Sequence, residues 1–349
     1  MARLRWLGVM GLGLASMAAS RWLSGAVAVS QEGRRRGRLA RSPLGMTWLG
    51  WRDVLARTWT ETMDDRLLSL SAGVAFFMLL AFAPGLSVLV SVYGLFADPR
   101  MVGEQLTPLL GVLPREGVLL VEDQLTRLAS RPADTLSLNL IVSLALAGWS
   151  ANAGIKGLFD ALNVINDEQE RRSFIYFNAI SLAATFSAVV LMLLVMFGVA
   201  LLPRLIEMLP YHSAFAWALS LLRFPLLIAI AASAFALLYW VGPSRRAARL
   251  TWLWPGAILA STVWVAASSA FAWYASTLGN YTATYGSLAA IVIFMTWLWL
   301  SASIILVGAE LNAELEHQTA VDTTVGPPKP MGLRGAVMAD NIGPAVADK

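Results

Sequence analysis

Long apolar runs alternate along this chain with short polar or basic segments. No charged residue occurs from Leu67 to Ala97, from Phe174 to Pro203 or from Leu250 to Ala309. Uncharged apolar runs longer than about 18 residues are typical of membrane-spanning helices, and the last run has room for two. The pattern predicts an all-α, polytopic membrane protein with six transmembrane helices. They are placed at about Leu67–Phe96, Thr135–Leu162, Phe174–Leu202, Ser213–Val241, Leu250–Thr277 and Tyr285–Leu311.

Three prolines lie inside these predicted spans, namely Pro84, Pro225 and Pro255. Proline lacks the backbone donor of a helix and its ring clashes with the preceding turn. We therefore predict helix kinks at these three positions.

Short amphipathic helices are predicted outside the spans. In the second part of residues 31–66, Trp48, Trp51, Leu55 and Trp59 recur at helical spacing up to Asp64-Asp65-Arg66, as expected for a helix in the headgroup layer. Residues 98–134 have the same character, since apolar positions repeat along one helical face there. We expect one or two further interfacial helices in that connection.

The two ends of the chain differ from its centre in composition. Residues 1–46 are predicted to be a flexible, arginine-rich arm, 47–317 the six-helix domain, and 318–349 a disordered tail. The arm contains an apolar segment at 6–20. That segment is either a cleaved signal or interfacial segment, or a disordered extension from a misassigned start site.

Composition excludes an ordinary soluble domain. Hydrophobic residues make up 57% of the 349 residues and charged residues 14%, against a soluble norm of roughly 25%. There is no cysteine and there are only two histidines, so disulfides, thiol catalysis and cysteine-ligated metals are excluded. No nucleotide-binding or catalytic motif occurs. We expect neither an enzyme nor a cofactor or metal site.

Basic residues indicate the orientation of the chain. They concentrate in the N-terminal arm and in the loops at 163–173 and 242–249, whereas the intervening connections carry no basic excess. Basic loops of membrane proteins remain in the cytoplasm. The distribution predicts that both termini are cytoplasmic. It also favours contact with anionic membrane lipids over nucleic acid, because no stacking motif accompanies the arginines.

One face of the second span carries the clearest candidate site. Asn152, Lys156, Asp160 and Asn163 follow one another at steps of four, four and three residues, so they share a helical face on which Lys156 and Asp160 can pair. Charges inside a bilayer are expensive and are often functional. The stripe is either the wall of a substrate pathway open to the cytoplasm or a buried polar seam that fixes helix register.

Two further ionisable residues adjoin apolar runs. Glu310, near the end of the sixth span, either pairs with Lys156 or Arg66 or lies at headgroup level, while Glu314 and Glu316 beyond it are expected to be solvated. Arg223, in the fourth span, either binds an anionic headgroup or solute or extends to the outer interface. Both residues are kept as pathway candidates.

Three stretches resemble the YihY/BrkB family of bacterial inner-membrane proteins. They are DRLLSLSAGVAFFMLLAFAPGLSVLVSVYGLFADP, AGWSANAGIKGLFDALNVINDEQERRS and YGSLAAIVIFMTWLWLSASIILVGAELNAELE, at 65–99, 147–173 and 285–316. The resemblance covers roughly residues 50–316 and implies six transmembrane helices in the inner membrane. The family pattern commonly has tyrosine and serine where this chain has Phe77 and Ala81.

Three functions follow as hypotheses. The first is transport or binding of a lipid or another anionic, amphiphilic envelope component, with membrane lipids as partners. The second is a non-transporting scaffold that supports envelope integrity through its basic arm and tryptophan helix. The third, a tRNA-processing ribonuclease, rests only on an old label within the resembling family and on no residue of this sequence.

Overall fold

A computed structural model describes residues 30–94, 136–207, 212–277 and 288–346 of the chain. Within these ranges the regular structure is helical, apart from an isolated antiparallel bridge between Ala248 and Thr324. The all-α prediction is therefore confirmed for the described part. The helices are α1 (Gln31–Arg35), α2 (Trp48–Asp64), α3 (Leu67–Gly94), α4 (Leu136–Ile165), α5 (Phe174–Glu207), α6 (His212–Val241), α7 (Leu250–Thr277), α8 (Ala289–Gln318) and α9 (Val337–Asp340).

The six helices from α3 to α8 have 28 to 34 residues each. At about 1.5 Å per residue, each is longer than the roughly 30 Å hydrocarbon core of a bilayer. Phe174–Met192, Leu250–Tyr274 and Ala289–Gln318 are long and apolar enough to span a membrane. The bent pair Trp48–Asp64 and Leu67–Phe82, with an angle of 61°, is a fourth candidate. These are three to four spans in the described residues, where the sequence predicted six.

The helices pack as antiparallel neighbours around an apolar core. The most extensive contacts join α3 to α4, α7 to α8, α6 to α7 and α3 to α8, whereas the main contacts of α5 in the described residues, with α4 and α6, are sparse. The main buried cluster draws on five of these helices; its members include Leu67, Val74, Leu158, Leu162, Tyr239, Leu253 and Leu306. Therefore α5 lies at the edge of the bundle.

Helices α7 and α8 cross with their backbones in contact. A Cβ on Gly256 would strike the carbonyl oxygen of Gly308, and a Cβ on Gly308 would lie 2.6 Å from that of Ala260. Asn312 bridges the same crossing, because its side chain accepts from the Gly256 N–H at 2.8 Å and donates to the Leu253 carbonyl at 2.8 Å. Small residues thus allow a close approach that the asparagine then fixes.

The helices continue through the three prolines singled out in the sequence. Pro84 lies within α3, Pro225 within α6 and Pro255 near the start of α7. The kinks there stay predictions. A bend of 61° instead lies between α2 and α3, where Arg66 adopts a left-handed φ of 53°.

Helix α2 has an apolar face turned outward and a polar face turned inward. Trp48, Leu55, Trp59 and Met63 are exposed along one side, while the opposite side is buried and includes Asp53, Val54, Arg57, Thr58 and Thr62. This arrangement suits a helix whose exposed side faces lipid. The interfacial helices predicted in 98–134 lie outside the described residues.

Residues 30–46 of the arm and 318–346 of the tail pack against the rest of the chain. In the arm, Arg36, Arg38, Ala40 and Met46 are buried. In the tail, Ala320 donates its N–H to the Arg38 carbonyl, and Arg334 donates to the carbonyls of Lys329, Ala339 and Ala320. The predictions of a flexible arm and a disordered tail for the two segments as a whole stay predictions. The apolar segment at 6–20 lies outside the described residues.

Candidate functional site

The predicted polar stripe on α4 is divided between buried and exposed positions. Asn152 and Asn163 are buried, Lys156 is half-buried and Asp160 is exposed. No ion pair joins Lys156 to Asp160 within the described contacts, although Asp160 lies in electrostatic range of both Lys156 and Arg172. Lys156 and Asp160 therefore do not neutralise each other through a direct ion pair.

Two residues of this stripe, Asn152 and Lys156, contact α5. We define the polar seam as Asn152 and Lys156 on α4 together with Asn178 and Thr185 on α5. Lys156 Nζ donates to Asn178 Oδ1 at 2.7 Å and lies 5.9 Å from the ring centroid of Phe177. Thr185 Oγ1 donates to Asn152 Oδ1 at 3.5 Å. Lys156 thus meets a neutral amide and an aromatic face.

The α5 side of the seam is bordered by exposed apolar side chains. They are Phe174, Ile175, Tyr176, Leu182, Phe186, Val189, Val190, Met192 and Leu194. In a membrane protein such a surface faces hydrocarbon, because lipid tails solvate apolar side chains as well as other side chains do. The ammonium of Lys156 therefore lies close to a lipid-facing surface.

Asn163, the last residue of the stripe, holds two loops together. Its amide donates to Glu170 at 3.1 Å, and its carbonyl oxygen accepts from the backbone N–H of Ser244 at 2.7 Å. Arg172 pairs with Glu170 at 2.6 Å and donates to the carbonyls of Val241 and Gly242. Burial alone would raise the pKa of Glu170, but hydrogen bonds from Arg172 and Asn163 lower it to about 2.

Several segments meet at this end of the bundle in a polar cap, which we define as residues 30–66, 163–173, 242–249 and 310–346. Three buried ion pairs hold it: Arg36 with Asp53 at 2.8 Å, Arg57 with Glu314 at 2.5 Å and Arg245 with Glu316 at 2.6 Å. Arg57 also donates to Gln318 and to the carbonyl of Pro344. Buried ions are tolerated when paired and hydrogen-bonded in this way.

Glu314 and Glu316 correct the sequence prediction that they are solvated, for both are buried. Their partners lie 257 and 71 residues away in the chain. The sequence pattern does not single out Arg57 and Arg245, because neither residue stands in an apolar run and each is distant in the chain from its partner. The helical spacing of Glu310 and Glu314 was the one available signal that this face of α8 is occupied by acids.

Glu310 differs from its two neighbours because it has no partner. It is fully buried, and neither carboxylate oxygen accepts a hydrogen bond in the structure as described. The predicted pairing with Lys156 does not form, because the ammonium contacts Asn178 instead. Arg66, the other predicted partner, is exposed in the turn between α2 and α3 and makes no ion pair with Glu310 there.

Two further expectations concern Arg223 and metals. Arg223 belongs to α6, but its side chain lies outside the described residues, so its role stays a prediction. Among the residues described, no group of three or more histidines and acids is arranged to hold a metal ion.

Comparisons with known proteins agree with this architecture. A family model described as Virulence factor BrkB matches residues 58–331. The ribonuclease-like protein YfkH of Bacillus subtilis (strain 168) is 32% identical over 263 residues, which cover 72% of this chain and 90% of that protein. A UPF0761 membrane protein of Alkalilimnicola ehrlichii is 45% identical over 60 residues, covering 17% of this chain and 14% of that one. Another, from Alteromonas mediterranea, is 41% identical over 83 residues, or 24% and 28% of the two chains. No solved structure matches the chain.

Proposed function

Because the chain belongs to the virulence factor BrkB family of membrane proteins, we propose that it spans the bacterial inner membrane six times and moves an anionic amphiphile, such as a lipid, along the polar seam. The observation that carries this proposal is the environment of Lys156. Its ammonium is half-buried, meets only a neutral amide and an aromatic ring in the described contacts, and adjoins the exposed apolar face of α5.

The clustering of the polar cap supports the six-span topology. The N-terminal segment, both basic loops and the C-terminal tail are joined by hydrogen bonds: Ala320 to Arg38, Arg171 to Ser244, and Val337 to Glu168. Each helix pair between these segments, α3 with α4, α5 with α6 and α7 with α8, must then leave the cap and return to it. An even number of crossings and the arginine-rich composition of the cap together favour cytoplasmic termini.

An anionic headgroup fits the seam chemically. Lys156 would supply charge, while the amides of Asn152 and Asn178 would supply hydrogen bonds to phosphate or carboxylate oxygens. The acyl chains would lie along the apolar residues of α5. Asp160, exposed one turn nearer the cap than Lys156, would repel the headgroup and so limit how tightly Lys156 holds it.

Directional movement of the amphiphile would need energy from a transmembrane gradient or from a partner protein. Without such a source, the movement is facilitated diffusion. This follows because the sequence holds no phosphate-binding glycine loop that would indicate nucleotide hydrolysis.

A flux assay in proteoliposomes tests the proposal. Wild-type protein should move fluorescent phosphatidylglycerol between leaflets, and Lys156→Gln should slow this by about tenfold or more, since a hydrogen bond to a charged group contributes about 1.5–3 kcal/mol. The matched control is Lys329→Gln, which removes an exposed lysine of the tail. Equal flux in wild type, Lys156→Gln and protein-free vesicles would overturn the proposal.

A scaffold is the second candidate, and a separate observation favours it. Arg34, Arg35 and Arg41 are exposed beside Leu44 and Trp48, which are 97% and 77% exposed. Cations next to apolar side chains suit the surface of an anionic membrane. A scaffold predicts selective retention of anionic lipid by purified protein without any flux, and loss of that retention when the three arginines are replaced by glutamine.

Nuclease activity has no support in these residues, although one relative carries a ribonuclease-like name. We propose that the chain is not an enzyme and makes no contact with nucleic acid. Purified protein incubated with tRNA and divalent metal should give no cleavage above that of a protein-free sample. Cleavage that persists through purification and follows the protein peak would contradict this.

A further inference from the structure

Glu310 is placed among apolar groups without a compensating donor. Its neighbours on α8, namely Leu306, Ala309 and Ala313, belong to the main buried cluster together with Leu67 of α3. Both of its oxygens are buried and lack a hydrogen-bond partner in the described part of the chain. Glu314, one turn along the same helix, has Arg57 as its partner.

The charged groups nearest Glu310 are mostly acids. Those that act on it electrostatically are Glu314 of α8, Glu61 of α2, Asp65 of the turn before α3 and Asp167 of the loop after α4. Of the other helices packed on α8, α3 and α7 contain no charged residue and α9 ends at the acid Asp340. Helix α4 carries Asp160 and Lys156, and the ammonium of Lys156 donates to Asn178 of α5. Arg57 pairs with Glu314, and the His317 ring also contacts Glu314. Arg66, which follows Asp65, is exposed in the turn between α2 and α3.

The same acidic environment is felt at the cap surface. Burial and, to a smaller extent, the charges of Glu61, Asp167, Asp64 and Glu314 together raise the pKa of Asp65 to about 6. Negative charge therefore accumulates around the Glu310 end of α8.

We propose that Glu310 is a proton-binding site that is loaded in this packed conformation. An ionised carboxylate without donors inside a protein is strongly disfavoured, whereas the neutral acid needs only one acceptor or can be accommodated among apolar groups. On loading, an O–H bond forms with a proton from water on the cap side. On release that bond breaks, the proton returns to water, and the new carboxylate repels Glu314 one turn away.

This step offers a means of driving transport. Repulsion between Glu310 and Glu314 would weaken the contact of Glu314 with Arg57, which ties α2 to α8 and to the tail. The cap would then open next to α4 and the seam. This coupling to flux rests on the proposed function, but protonation of Glu310 does not.

Infrared difference spectroscopy of the full-length protein in lipid nanodiscs tests protonation directly. Near neutral pH the wild type should show a protonated-carboxyl C=O stretching band that is absent from Glu310→Gln and disappears as pH is raised. The matched control is Glu32→Gln, which removes an exposed acid and should leave the band unchanged. A wild-type spectrum without the band, or a band unaffected by Glu310→Gln, would overturn the inference.

Two further readouts separate the possible failures. If the band responds to sodium or potassium at constant pH, Glu310 binds a metal cation in place of a proton, and the inference is overturned. Flux that responds to an imposed pH gradient in the wild type but not in Glu310→Gln would support coupling. If flux is present and the infrared band is absent, protonation of Glu310 is wrong while the proposed transport survives. If the band is present and flux is absent, the proposed transport is wrong while protonation of Glu310 survives. The comparison remains valid provided that Glu310→Gln retains wild-type thermal stability, and Glu310→Asp, which keeps the acid, should retain the band.

Discussion

Gly256 and Gly308 face each other where α7 crosses α8, with no space for a side chain on either. A methyl group on Gly308 would lie 2.8 Å from the Gly256 carbonyl oxygen and 2.8 Å from Tyr239 Oη, which itself donates to the Ile305 carbonyl at 2.7 Å. The crossing thus combines backbone contact with a side-chain hydrogen bond from a third helix. It fixes the position of α8, which carries Glu310, Glu314 and Glu316.

Alanine at this crossing should destabilise the protein. For Gly256→Ala or Gly308→Ala we expect the free energy of unfolding to fall by about 1–3 kcal/mol, as is typical of overpacking, because the added methyl group would meet backbone and buried side-chain atoms. Thermal unfolding in detergent measures this. Gly73→Ala is the control, since a Cβ there meets nothing within 4 Å; that variant should be as stable as the wild type or slightly more stable. Equal melting of all three variants would contradict the close packing.

Loss of Arg57 should release the tail and strongly destabilise the cap. Arg57→Ala leaves Glu314 buried without its cation, which typically costs about 3–5 kcal/mol. Hydrogen exchange should rise across residues 318–346 and in α2, because Arg57 also binds Gln318 and the Pro344 carbonyl. Arg34→Ala, which removes an exposed arginine, should leave exchange unchanged. Unaltered exchange in Arg57→Ala would show that the tail is held by other contacts.

Acid should weaken the connection between the two basic loops through Glu170. The pKa of Glu170 is lowered from 4.5 to about 2, so its stabilising contribution is present above pH 4.5 and is lost as pH falls toward 2. Since Glu170 is partly exposed, we expect a contribution of about 1–2 kcal/mol. Thermal stability measured against pH should show a gap between wild type and Glu170→Gln that closes over this interval. A gap that stays constant down to the lowest pH would argue against ionic pairing with Arg172.

Single cysteines can locate the polar cap, because the chain contains none of its own. Arg34→Cys, Arg171→Cys and Leu333→Cys place a thiol at exposed positions of the arm, one basic loop and the tail. A membrane-impermeant maleimide should label all three in inside-out vesicles and none in intact spheroplasts. Labelling of one site from the opposite side would exclude a shared cytoplasmic location and hence the even number of crossings.

Much of the helical frame could be predicted from local pattern alone. The apolar runs correspond to α3 and to α5–α8, and the break between α2 and α3 follows the acids and Arg66 that separate them. The stripe of Asn152, Lys156 and Asp160 was recognised by its spacing on α4. Its partners could not be found in this way, because Asn178 and Thr185 belong to a different helix and only tertiary packing brings them near.

The contacts within the polar cap could not be predicted from the sequence. The sequence predicts that Glu314 and Glu316 are solvated, because they follow an apolar run and only the composition of their own segment is visible there. In the structure their burial depends on arginines supplied by distant segments, Arg57 and Arg245. Neither the polarity nor the periodicity of one segment reveals an ion pair with a distant segment.

The tail contacts at residues 343–346 impose an order on biosynthesis. Arg38 donates to the Gly343 carbonyl, Arg57 to the Pro344 carbonyl and Arg36 to the Val346 carbonyl. These arginines leave the ribosome hundreds of residues before their acceptors do. In a nascent molecule the guanidinium groups of the cap must therefore remain hydrated or bound by lipid until these acceptors have been synthesised. Closure of the cap is consequently a later step than synthesis of the apolar helices.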